Sequence, residues 1–221
     1  MEINKYIDHT VLKATTTEAD IIKLCEEAVK YNFFSVCVNS SYVPLAAEHT
    51  KGSEVAVCSV IGFPLGAMST ESKVFEAKNA IENGATEIDM VINVGWLQSG
   101  KSEAVYEEIK AIKEAIGSNL LKVIIETCYL SDDEKKLASE LSVKANADFV
   151  KTSTGFGTGG ATFEDIQIMK DAVAGKAKLK ASGGVRDFET AKKYIDMGVS
   201  RLGTSNGIAI MEGKEVSGDS Y

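Results

Sequence analysis

Histidine is scarce in this 221-residue chain, with His9 and His49 the only two. Its four cysteines, Cys25, Cys37, Cys58 and Cys128, fall without C-x-x-C spacing. These shortages argue against a zinc site and leave free thiols in a reducing cytoplasm as the expected state. No apolar run approaches the length of a membrane span, and the start Met1-Glu2-Ile3-Asn4-Lys5 lacks the apolar centre of a signal peptide. Basic residues are in deficit, 24 against 32 acidic ones, for a net charge of −8. That balance repels phosphate-rich surfaces, so neither nucleic acid nor membrane is expected as a partner. Any anionic ligand must be held locally against the overall field. There is no Gly/Pro/Ser-rich linker, no low-complexity segment and no strong internal repeat.

What is present is a rhythm. Short β-branched runs recur near residues 33–39, 54–61, 87–93, 121–126, 148–152, 177–182 and 200–204. Between them lie longer segments of helical spacing. Thr17, Ser69, Ser131 and Thr162 each begin a polar N-cap pattern ahead of such a segment. Helices between strands require parallel strands. The stretch Tyr6-Ile7-Asp8-His9-Thr10-Val11 adds a first strand, making eight. Eight βα units without a linker predict one domain over 1–221, a closed (β/α)8 TIM barrel with a short mobile tail at 214–221. An open doubly wound sheet is the rival, weakened by the lack of G-x-G-x-x-G after the first strand.

A barrel places its functional groups at the carboxyl ends of strands. In Glu87-Ile88-Asp89-Met90-Val91-Ile92-Asn93, alternation sets Ile88, Met90 and Ile92 against the helices and turns Glu87, Asp89, Val91 and Asn93 inward. A buried carboxylate needs a partner, so Asp89 is either half of an ion pair or an acid/base. Lys151 ends the sixth strand and Lys180 lies late in the seventh, whereas Lys178 sits one repeat nearer the floor and is the weaker candidate. Lysines on adjacent strands crowd one another, and crowding with desolvation favours the neutral amine. A neutral amine can attack a carbonyl and form a Schiff base, an electron sink that needs no metal.

Two glycine turns follow the last strands, Gly183-Gly184-Val185-Arg186-Asp187 and Gly203-Thr204-Ser205-Asn206-Gly207. Their backbone N–H groups suit an anion, and barrels often bind phosphate after strands seven and eight. Gly155-Phe156-Gly157-Thr158-Gly159-Gly160 reads as a mobile loop over the mouth and lacks the Lys-Ser/Thr ending of a nucleotide P-loop. Cys37 and Cys128 have no histidine beside them in sequence and read as small buried hydrophobes. His9 reads as a packed or hydrogen-bonded core residue, and His49 as surface. Three readings stay open on these residues: carbonyl chemistry on a lysine, another metal-free lyase or isomerase of sugar phosphates, and a barrel that only senses such sugars.

Eight stretches narrow the choice, among them Tyr6-Ile7-Asp8-His9-Thr10, Ile61-Gly62-Phe63-Pro64-Leu65-Gly66, Lys151-Thr152-Ser153-Thr154-Gly155 and Lys180-Ala181-Ser182-Gly183-Gly184. In kind and order the chain resembles the deoxyribose-phosphate aldolase family over nearly its whole length. The resemblance implies a class I aldolase that reversibly cleaves the C2–C3 bond of 2-deoxy-D-ribose 5-phosphate. The products implied are acetaldehyde and D-glyceraldehyde 3-phosphate. It makes Lys151 the Schiff-base lysine, Lys180 the second lysine and Asp89 the proton-relay acid. Asp8, Cys37 and Thr154 would line the substrate cavity. Gly155, Gly183, Gly184, Gly203, Thr204, Ser205 and Asn206 would hold the phosphate. Tyr221 would be a proton relay on the tail. Asn206 stands where a serine is common, and Trp96-Leu97-Gln98 also departs from the family pattern. The partners implied are a phosphorylated sugar and aldehydes, with no cofactor, no metal, a cytoplasmic location and a homodimer as one open possibility.

Overall fold

The alternation of β-branched runs and helical segments closes on itself. Residues 2–214 are described in the computed structural model. Its strands are β1 (Ile7–Thr10), β2 (Ser35–Asn39), β3 (Ala56–Ile61), β4 (Glu87–Val91), β5 (Leu120–Ile124), β6 (Phe149–Lys151), β7 (Lys178–Ser182) and β8 (Arg201–Thr204). Each pairs in parallel with the next, and β8 returns to β1 to complete the barrel. The helices are α1 (Glu18–Tyr31), α2 (Val43–Thr50), α3 (Thr70–Glu82), α4 (Val94–Gln98), α5 (Ser102–Ile116), α6 (Asp132–Lys144), α7 (Phe163–Val173), α8 (Phe188–Asp196) and α9 (Gly207–Glu212).

The four expected caps are all made. Thr17 and Ser131 form reciprocal capping boxes with Asp20 and Glu134. Ser69 and Thr162 accept the N–H groups of Ser72 and Asp165. Each such cap stabilises its helix start by about 1 kcal/mol.

The core lies between barrel and helices. Outward side chains such as Val36, Ile88, Met90, Val123 and Leu202 pack with Ile21, Ile109, Ile112 and Ile166 of the helices. Inside the barrel Leu12, Cys37, Cys58 and Val60 form a small separate apolar cluster with Phe63 against it, and Ile124 and Phe149 share the register of the inward Lys151 and Lys122. Buried charges stand beside these residues, where an ordinary barrel has aliphatic layers.

One local expectation is corrected. The fourth strand stops at Val91, so Asn93 leaves the sheet and caps α4 by accepting the Trp96 N–H at 3.1 Å. The glycine loop after β6 is packed down at both ends. Phe156 stands edge-on to Phe63 with ring centroids 5.3 Å apart. Further on, Gly160 lies against the Gly183 backbone so closely that neither has room for a side chain, and the next residue, Ala161, donates its N–H to the carbonyls of Ser182 and Gly183, both at 3.0 Å. Of the tail at 214–221, only Lys214 is among the described residues.

Candidate active site

Strand parity and register assemble the site. Asp89 on β4 is the register partner of Lys122 on β5, and Lys151 at the end of β6 is the register partner of Lys180 on β7. All four side chains turn inward, with Asp89, Lys122 and Lys180 fully buried and Lys151 only 2% exposed. Asp89 binds all three lysines. Its Oδ2 accepts from Lys151 Nζ and Lys180 Nζ, each at 2.8 Å, and its Oδ1 accepts from Lys122 Nζ at 2.8 Å.

The other partners are divided unequally. Lys180 also reaches Asp8 Oδ2 at 2.5 Å, and Lys122 reaches Glu87 Oε2 at 2.6 Å. Arg201 spans Asp8 Oδ1 at 2.6 Å and Glu87 Oε1 at 2.9 Å, with its guanidinium 3.1 Å above the Phe34 ring. Ser35 donates its hydroxyl to Asp8 Oδ1 at 2.7 Å. Four cations, Lys122, Lys151, Lys180 and Arg201, therefore share the three carboxylates of Asp8, Glu87 and Asp89. Among the described residues, Lys151 is the one of these cations with a single carboxylate in ion-pair range.

Electrostatics follow from that division. Burial alone would raise the Asp89 carboxyl, but the ammonium groups of Lys122, Lys151 and Lys180 overcome it and hold Asp89 well below the carboxylate range. Asp8 is likewise lowered, with burial outweighed by Lys180 and Arg201. Burial works against the charge of Lys180, yet Asp8 and Asp89 more than offset it and keep that lysine above the ordinary range. Crowding was expected to favour the neutral amine. At Lys180 the carboxylates reverse that expectation and hold it as an ammonium.

Cys37 and Cys58 face each other across β2 and β3 on the same inward face. The Cys58 thiol donates to Asp89 Oδ1 at 3.1 Å. The neighbouring Cys58 lowers the Cys37 thiol, and burial pushes Cys58 well up. One donor atom from each of Cys37, Cys58 and Asp89 lies within 4.8 Å of the others, close enough for a metal ion. In this structure the Asp89 oxygens are taken by lysines.

Above the charges opens a cavity of about 460 Å³ between the loops after β6, β7 and β8. Gly155, Gly183, Gly184, Thr204, Ser205 and Asn206 all line it, together with Arg186. Gly203 is absent from that lining. Inward parity sets it below the rim, where an added Cβ would stand 2.9 Å from Ser182 Cβ and 3.1 Å from Lys180 Cε. Its missing side chain makes room for Lys180. Thr154 is 1% exposed, and its hydroxyl and N–H both go to the Glu126 carboxylate.

The remaining candidates fall outside the cluster. Lys178 starts β7 exposed, with Nζ 5.7 Å from the Phe149 ring centroid. His9 is buried against Phe33 on the outer face and pairs through Nε2 with Glu27 at 2.8 Å. His49 is exposed. Tyr221 lies outside the described residues.

Sequence reasoning missed Lys122, Arg201 and Glu126. Lys122 had a legible signal, a lone charge inside Leu120-Leu121-Lys122-Val123-Ile124. Arg201 opens its strand and looks like an edge residue until register brings it to Asp8. Glu126 had none, because its partner Thr154 is 28 positions away.

Comparison with known proteins agrees with this geometry. The family described as DeoC/LacD family aldolase matches residues 3–211. A deoxyribose-phosphate aldolase of Finegoldia magna is 59% identical, over 96% of this chain and all of the relative. One of Carboxydothermus hydrogenoformans is also 59% identical, over 100% of this chain and 98% of the relative. Among solved structures, an aldolase designated QR15 superposes with a TM-score of 0.91 at 44% identity, covering 95% of this chain and 94% of that one. A tetrameric deoxyribose phosphate aldolase of Aeropyrum pernix gives 0.87 at 33% identity, covering 95% and 89%. With nearly the whole barrel matched, this chain belongs to the DeoC/LacD family of aldolases.

Proposed function

We infer that the chain is a class I aldolase that reversibly cleaves 2-deoxy-D-ribose 5-phosphate into acetaldehyde and D-glyceraldehyde 3-phosphate. The reading rests on one observation above the others: Lys151, at the mouth of the barrel, shares its only ion-paired carboxylate among the described residues with a lysine that is held charged. Lys180 keeps its proton because two carboxylates grip it, which leaves Lys151 as the amine for the carbonyl.

In this reading Lys151 Nζ adds to the open-chain aldehyde at C1 and loses water to give an iminium. The proton of the C3 hydroxyl leaves by way of Asp89, Lys180 and a water as the C2–C3 electron pair moves into the iminium. Glyceraldehyde phosphate leaves with C3 as its new carbonyl carbon. The enamine on Lys151 is protonated at C2, and water then releases acetaldehyde. Lys180 keeps positive charge beside the reacting atoms, and Asp8 and Cys37 shape the wall. The phosphate rests on Gly155, Gly183, Gly184, Thr204, Ser205 and Asn206, with Arg186 at the same cavity.

Nothing in these steps calls on a cofactor. Partners in this reading are small phosphorylated sugars and aldehydes. Self-association as a homodimer belongs to the proposal, supported by Leu65 and Phe75, which stay 74% and 73% exposed. A cytoplasmic location fits four free thiols, and no helix among the described residues is long and apolar enough to cross a membrane.

Borohydride reduction in the presence of acetaldehyde tests the centre of the reading. The peptide containing Lys151 gains C2H4, an N-ethyl group in place of one hydrogen. A label on Lys180 or Lys122 instead, or none at all, overturns the assignment.

A further inference from the structure

Glu126 follows β5 with φ 54° and ψ 67°, the left-handed region that costs a non-glycine residue about 1–2 kcal/mol. It is 3% exposed. Burial pushes its carboxyl up, while the Thr154 bonds and the nearby Lys151 charge partly offset that rise. An acidic side chain, buried and on strained backbone at the mouth of an anion-binding barrel, needs a reason to be there.

The hydrogen bonds supply one. Glu126 Oε1 accepts the Thr154 N–H at 3.1 Å, and Glu126 Oε2 accepts the Thr154 hydroxyl. The same hydroxyl oxygen accepts the Phe156 N–H at 3.0 Å. A threonine hydroxyl has one proton and two lone pairs. Its proton is committed to Glu126 and one lone pair to Phe156, so it has only acceptor capacity left. Glu126 and Thr154 line a cavity of about 110 Å³ with Val91, Leu65, Tyr129 and Phe156. That cavity adjoins the reacting groups in chain terms, since Val91 lies two residues past Asp89 and Thr154 three past Lys151. Thr154 also directly precedes Gly155 of the anion cavity. Along the chain Thr154 therefore stands between Lys151 and the anion cavity, where the reading above would set the carbon between the cleaved bond and the phosphate-bearing carbon.

We propose that Glu126 is a specificity-determining positioning residue. It locks Thr154 as an obligatory acceptor, so that the site reads a hydroxyl donor on the substrate carbon next to the cleaved bond. The proposal rests on the aldolase reading above and deepens it. An analogue carrying fluorine in place of that hydroxyl is nearly the same size, but it offers no proton and faces a lone pair. Replacement of Glu126 by glutamine keeps the shape and the bond from the Thr154 N–H. The amide nitrogen then donates to the Thr154 oxygen and turns its proton outward, where fluorine is tolerated and a hydroxyl can still accept.

The test runs in the synthetic direction with acetaldehyde and either D-glyceraldehyde 3-phosphate or its 2-fluoro analogue. The wild type favours the hydroxyl compound in kcat/KM. In Glu126→Gln that preference falls by roughly tenfold, the worth of one hydrogen bond, while acetaldehyde trapping on Lys151 continues. A structural role slows both aldehydes together, and an unchanged preference overturns the proposal. Should Glu126→Gln fail to fold, Thr154→Val carries the test, because it removes the acceptor and must also erase the preference, whereas Thr154→Ser must retain it. Thr154→Val with the wild-type preference overturns the proposal equally. Absence of trapping in the wild type refutes the aldolase reading instead, so the two failures are distinct.

Discussion

Lys151 and Lys180 are register partners on adjacent strands, and both ammonium groups lie 2.8 Å from the same oxygen, Asp89 Oδ2. Two like charges on one oxygen are stable only because further carboxylates complete the set. Asp8 supplies the second contact to Lys180 at 2.5 Å. The asymmetry between these neighbours separates the proposed nucleophile from the lysine that stays charged.

Gly203 guards that arrangement. A methyl group there would meet Lys180 Cε at 3.1 Å and Ser182 Cβ at 2.9 Å. Gly203→Ala should press on Lys180 and lower kcat, by less than the roughly hundredfold that a 1 Å misplacement of a reacting group can cost. Steady-state kinetics on the folded variant check it, and wild-type turnover would show that Lys180 can move aside freely.

Lys122 is buried between Asp89 at 2.8 Å and Glu87 at 2.6 Å. Lys122→Met leaves two carboxylates short of a partner and should cost about 3–5 kcal/mol, as broken buried pairs do. Urea unfolding measures the loss. A variant within about 1 kcal/mol of the wild type would mean that Arg201, Lys151 and Lys180 satisfy both acids.

Stability should depend on pH at both extremes. Asp8 and Asp89 are lowered on folding, so their contribution is complete above the unfolded carboxylate value near 4 and is lost as pH falls below it. Lys180 is raised on folding, so its contribution is complete below the unfolded lysine value near 10.4 and is lost as pH climbs past it. Melting temperature should therefore show a plateau from about pH 5 to about pH 10, with a fall on each side. Asp89→Asn should soften the acid fall, and an identical acid limb in that variant contradicts the account.

Arg186 lines the glycine cavity proposed for phosphate. Arg186→Gln should raise KM for the phosphorylated sugar by about tenfold or more, given 1.5–3 kcal/mol for a charged hydrogen bond. KM for unphosphorylated 2-deoxyribose should stay put. Equal changes for both sugars would place Arg186 outside phosphate recognition.

Cys37, Cys58 and Asp89 offer donors that a metal ion could take. The proposed reaction draws its electron sink from the iminium, so activity should persist after exhaustive dialysis against a chelator. A loss restored only by a divalent ion would refute the class I assignment.

Short-range pattern determined much of this protein. Period-two and helical spacing produced all eight strands and the four capped helix starts, because those signals lie within a few residues of one another. Parity and position near strand ends also singled out Asp89, Lys151 and Lys180. Tertiary structure decided the rest. The Asp8–Arg201 pair joins positions 193 apart, and only barrel closure between β8 and β1 makes it. Cross-strand register determines that Lys180 has two carboxylates and Lys151 one, and this division follows from no local spacing. The same holds for Glu126, whose charge becomes intelligible only once β6 sets Thr154 against it. Periodicity says which way a side chain points, while stagger around the closed barrel determines which charge it meets.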